Sequence, residues 1–195
     1  KDEGLRKLNV AAKEVIYSGP ETKSMLIHIY LYLEEDFEKA LPIIQDLRAK
    51  FKKNSRYPFF EGLVYIRQAR DSKYREVVDF LRAESRKKAT KADFLVWESQ
   101  ALYLEATYHL FRGETKQARN KLDAILSKAD PGLDPDMIAF PILKKGMSYD
   151  LEEEREKALE HYRQVLKMDN GAGAQFLAQK CIDAAAKKGD PFLGY

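Results

Sequence analysis

One cysteine, Cys181, is all the thiol that this chain of 195 residues holds. That excludes an intrachain disulfide and any CxxC metal site. Cys181 stands in AGAQFLAQKCIDAAAKK, four residues after Leu177 and on the same apolar helical face. A buried, inert thiol is expected there. Long hydrophobic runs are missing too. The longest, MLIHIYLYL at 25–33, contains His28 and covers about half a membrane span, so no spanning helix is expected. No signal peptide is visible. The chain opens KDEGLRK without an initiator Met, and is expected to be a processed or excised piece. Its compartment stays open between the cytoplasm and the periplasm or envelope.

An excess of charge of one sign is also lacking. Thirty-four basic residues face 31 acidic ones, and a net charge of +3 is too small to argue for nucleic acid. Basic clusters at Lys50, Lys52 and Lys53, and at Arg86, Lys87, Lys88 and Lys91, fall near helix ends, where cations complement the dipole. A phosphate-contacting patch is the sharper alternative. No GxGxxG, P-loop, GxSxG or HExxH pattern occurs. Acidic pairs such as Glu34–Glu35 sit in turns without an apolar pocket to raise a pKa. No enzyme and no cofactor are therefore expected. His28, His109 and His161 are far apart in sequence, and Asp130, Asp134 and Asp136 lie among prolines without the distal Glu of a calcium loop. No metal site is expected from either set.

Helical periodicity is what the chain has in quantity. Hydrophobic residues at 45% and charged residues at 33% predict a soluble globular protein. Alternating β-branched runs are absent. Apolar spacing predicts helices at about 3–17, 20–33, 36–53, 58–69, 72–88, 91–112, 114–129, 135–150, 153–168 and 172–188. The first carries Leu5, Leu8, Ala12 and Val15 on one face. Pro20 and Pro58 suit first turns, and Gly113 and Gly171 suit helix ends. Short connections make consecutive helices antiparallel, and SKADPGLDPD at 127–136 is a loop.

GMSYDLEEEREKALEHYRQVLKMD, from 146, spaces a small residue (Gly146), an aromatic (Tyr149), a small one (Ala158), an aromatic (Tyr162) and an aliphatic (Val165). The same offsets give Ala106, His109, Ala118, Leu122 and Ile125, then Gly62, Tyr65, Tyr74, Val78 and Leu81, then His28, Leu31, Ala40, Ile44 and Leu47. The two N-terminal windows abut at a period of 34 residues. Where antiparallel helices approach most closely, at least one facing site must be small. Gly146 is expected against Ala158, Ala106 against Ala118, Gly62 against Tyr74, and His28 against Ala40.

This pattern resembles the tetratricopeptide repeat family. The resemblance covers about 21–172, in units at 21–54, 55–88, 99–132 and 139–172 of a single domain. Tyr74, His109 and Asn170 depart from the family's usual residues, and the third unit has a long first helix. KSMLIHIYLYLEEDFEKALPIIQDLRAKFKKN is also similar to repeats common in bacterial proteins. The resemblance implies an all-α, right-handed α-solenoid of helix–turn–helix units, capped by helices in 1–20 and 173–195. First helices would line a concave surface. By spacing, Met25, Ile29 and Tyr32, Phe59, Leu63 and Ile66, Tyr103, Thr107 and Leu110, and Phe140, Leu143 and Met147 would face it. The Lys/Asn set with which chaperone-binding members of the family hold a peptide carboxylate is missing.

Such a surface suits an amphipathic helix or apolar peptide of a protein partner. On the competing reading these side chains bury one another, or an N-terminal segment covers them. Phe59→Ala with Tyr103→Ala separates the two: weaker partner binding at unchanged helix content, or loss of folding. A nucleic-acid-binding helical repeat, an accessory part of a larger protein, and self-association through an end helix are the alternatives.

Overall fold

In a computed structural model of the chain, residues 3–4, 6–8, 10, 19–130, 135–171 and 173–194 are described. Every regular element among them is helical. Helix α1 (Gly19–His28) continues through a π-helical turn, Ile29–Leu33. Then come α2 (Phe37–Lys50), α3 (Arg56–Arg67), α4 (Asp71–Ser85) and α5 (Lys91–Phe111). The series ends with α6 (Thr115–Leu126), α7 (Asp136–Asp150), α8 (Arg155–Leu166) and α9 (Ala174–Asp183), followed by a 3₁₀ turn, Pro191–Gly194. Of the N-terminal helix predicted at 3–17, residues 3, 4, 6–8 and 10 are described and helical, and Leu8 packs on the core. Leu5, Ala12 and Val15, and the loop residues 131–134, lie outside the described residues.

Local chemistry starts the helices. Asp36 accepts the Lys39 amide at 3.1 Å ahead of α2, and the Thr90 hydroxyl accepts the Asp93 amide at 3.0 Å ahead of α5. Two burial patterns then sort them. Helices α2, α6 and α8 each bury one stripe: Ala40, Ile44 and Leu47; Ala118, Leu122 and Ile125; Ala158, Tyr162 and Val165. By contrast α3 is buried continuously from Tyr57 to Ile66. A helix apolar all round must be covered all round. Consecutive helices pack in pairs, and α3 also touches α5, α5 touches α7, and α7 touches α9. Helices α3, α5 and α7 are thus the inner elements.

The pairs share one turn. Glu35, Ala69, Gly113 and Glu153 all have positive φ, at 52°, 53°, 78° and 62°. Each precedes by five positions a buried residue of the second helix: Ala40, Tyr74, Ala118 and Ala158. The turns close through amide-to-carbonyl bonds from Arg70 to Tyr65 (2.8 Å), Glu114 to His109 (2.8 Å) and Glu154 to Tyr149 (2.9 Å). In the first pair, Asp36 bonds instead to Tyr30 at 2.9 Å, one residue further back. The π-helical turn absorbs that extra residue.

This slip corrects the expected register of the first helix. The small-site equivalent of Gly62, Ala106 and Gly146 is Ile27, fully buried, and not His28, which is exposed. The aromatic equivalent of Tyr65 is Tyr30 and not Leu31. The close approaches also differ from those expected. A Cβ on Gly146 would overlap the Tyr162 ring, and one on Gly62 would overlap Leu104 of the next inner helix. Tyr162 lies one turn beyond Ala158, and a long helical side chain leans back over the preceding turn. The ring, not the alanine, therefore dictates the glycine.

Candidate functional site

The face shared by α3, α5 and α7 carries most of the residues expected in a groove. Phe59, Leu63, Ile66, Tyr103, Thr107, Leu110, Leu143 and Met147 are all buried there, and Phe140 is half-buried. Phe59 and Tyr103 meet with ring centroids 5.7 Å apart, joining α3 to α5. The first helix behaves differently. Met25 is 55% exposed, while Ile29 and Tyr32 are half-buried. The π-helical slip turns Met25 off the apolar face.

What buries the far part of this face is the chain's own end. After α9 the backbone becomes extended at Ala184 (φ −144°, ψ 123°) and returns across the inner helices. The Ala186 amide bonds to Asp150 Oδ2 at 2.9 Å, and the turn Pro191–Gly194 reaches α5 and α3. Leu193, only 1% exposed, joins the apolar cluster of Leu110, Leu143 and Met147.

Two cations hold the returning segment. Lys144 Nζ donates to the Leu193 carbonyl at 3.1 Å, and Arg67 Nη1 donates to the Pro191 carbonyl at 2.9 Å. Arg67 also pairs with Glu35 at 2.9 Å and lies over Phe37, 5.0 Å from the ring centroid. Lys144 is fully inside the protein, its amine 5.3 Å from the Tyr103 ring centroid, and no carboxylate pairs with it among the described residues. Burial, reinforced by the neighbouring Arg67 charge, pushes the Lys144 amine down to about 7. On the same face the Thr107 hydroxyl is fully buried, and it finds no hydrogen-bond partner among the described residues.

Asp150 is the hinge of the arrangement. Its carboxylate accepts from Tyr162 OH at 2.7 Å and from Arg155 Nη1 at 2.9 and 3.0 Å as well as from Ala186. Arg155 in turn donates to the Cys181 and Ile182 carbonyls at 2.9 and 2.7 Å, closing the end of α9. Cys181 is buried, and burial pushes its thiol up to about 11, which keeps it protonated and unreactive at neutral pH.

The other polar clusters are partly paired within the protein. Glu61, buried under α2, accepts from Tyr65 OH at 2.8 Å and Gln45 Nε2 at 3.1 Å and pairs with Arg48. Lys50 pairs with Asp46 at 3.0 Å, Lys87 pairs with Glu84, and Lys88 sits 4.1 Å over the Trp97 ring. His28 meets Phe60 edge-on, His109 bonds Glu114 at 2.6 Å, and His161 bonds the Lys157 carbonyl at 2.8 Å. Among the described residues no cluster of three His, Cys, Asp or Glu side chains is placed to hold a metal, and no helix is long and apolar enough to cross a membrane.

Sequence reasoning missed the returning tail, Lys144 and Arg67. The signal was present in KKGDPFLGY: an Asp-Pro turn followed by two large apolar residues at the end of a charged stretch. No family model, no curated protein and no solved structure matches this chain.

Proposed function

We propose that this protein is a non-catalytic interaction scaffold. Its helix pairs form a tetratricopeptide-like, right-handed solenoid, and its inner-helix face binds a peptide or helix of a partner protein. One observation carries the reading: the face formed by α3, α5 and α7 accommodates a peptide segment, residues 191–194, through an apolar side chain and main-chain carbonyls. Support also comes from the shared turn geometry of the four pairs, the feature a repeat array requires. A protein partner is favoured over nucleic acid because the basic clusters are partly neutralised by Asp46 and Glu84. The exposed Met25, turned off the apolar face, and the half-buried Tyr32 would flank the binding face.

Photo-crosslinking amino acids at positions 25, 32 and, as a control on α4, 72 test this. The reading predicts one protein joined through 25 and 32 but not 72. That protein, purified, should then bind the chain and lose about ten-fold in affinity with Met25→Asp. Equal joining at all three positions contradicts it.

A further inference from the structure

The returning tail is held by bonds that another peptide could supply. Lys144 and Arg67 both grip main-chain oxygens, those of Leu193 and Pro191. Side-chain identity enters through Leu193, which fills the cluster of Leu110, Leu143 and Met147. The fit is also incomplete. Lys144 lies inside without a carboxylate partner among the described residues. A buried amine so placed weighs against the closed arrangement. The link from the end of α9 at Asp183 to Pro191 spans seven residues, 184–190. A tether of that length keeps the tail at an effective concentration on the order of millimolar.

We propose that Pro191–Gly194 is a replaceable, tethered ligand of this face, and that a partner segment of the same chemistry takes its place when the tail lifts. That chemistry is a proline-led turn bearing an aromatic residue and a leucine, with two carbonyls turned to Lys144 and Arg67. The inference rests on reading the inner-helix face as peptide-binding, and it names both the ligand class and the device that keeps the site closed.

The test uses a fluorescent peptide of sequence GDPFLGY, titrated against the full chain and against the full chain carrying Leu193→Asp. The substituted chain should bind at least about ten-fold tighter, because the tethered competitor is gone. Adding Lys144→Met should reverse the gain. Equal binding to both chains overturns the proposal. So does a concentration-dependent dimer of the intact chain that Leu193→Asp abolishes, because the occupant is then a second copy's tail. Should Leu193→Asp lose helix content, amide exchange of the intact chain decides. Exchange at 186–194 about a hundred-fold faster than in α5 supports a lifting tail, and exchange in step with α5 overturns it. Failure here leaves the wider scaffold reading to be judged by crosslinking at 25 and 32, which does not depend on the tail.

Discussion

Ala69 and Glu153 hold a left-handed conformation, φ 53° and 62°, that their side chains disfavour. At the equivalent turn position the third pair has Gly113. Ala69 is exposed, so removing its Cβ loses no packing. Ala69→Gly is expected to stabilise the protein by about 1 kcal/mol, read from urea denaturation. Lys144 gives a second expectation at this scale. Its amine titrates near 7 in the folded chain against 10.5 when exposed. Its favourable contribution is therefore fully present above 10.5 and is lost as pH falls through 7. Native stability should rise with pH between 7 and 9, and Lys144→Met should flatten that slope in urea midpoints taken across the window. Neither residue was legible in the sequence. Positive φ at alanine or glutamate leaves no mark in composition, and a lysine in PILKKGM reads as helical and exposed.

At the scale of the element, the inner and outer helices were readable because their periods differ. Stripes spaced by four and three residues mark α2, α6 and α8, and near-continuous apolarity marks α3. The first helix was misread by one position because nothing in GPETKSMLIHIYLYL announces a π-helical turn. Both candidate registers pair a ring or branched side chain with an apolar or aromatic one, Ile27 with Tyr30 and His28 with Leu31. The turn's role can be tested by deletion. Leu33, 73% exposed, lies at its end. Deleting Leu33 should restore the five-residue closure of the other turns and leave a cooperative melt. Inserting an alanine after Leu33 should instead rotate Ile27 and Tyr30 off the core by about a third of a turn. That variant should lose the α1–α2 pair by circular dichroism.

For the whole molecule, the repeated pair was legible from spacing, whereas the path of the tail was not. The residues expected to line a groove, from Phe59 to Met147, are almost all buried, and burial depends on what lies across that face. That is a contact between residues 67 and 191, 124 positions apart, and no periodicity carries it. The consequence is an inner face divided in two. One part, at α5 and α3, is closed by residues 191–194, and Met25, 55% exposed, lies outside it.

The most direct measurement links the tail to the face covalently. Gly194 lies against the Arg67 side chain so closely that a Cβ there would overlap it. In a Cys181→Ala background, Arg67→Cys with Gly194→Cys should form an intramolecular disulfide. Oxidised, this chain should fail to bind the GDPFLGY peptide, and reduction, which frees a tail already lacking its Arg67 anchor, should restore binding. A bridge that forms only between molecules, or peptide binding indifferent to oxidation, would contradict the claim that this face takes a peptide and that its own tail is the present occupant.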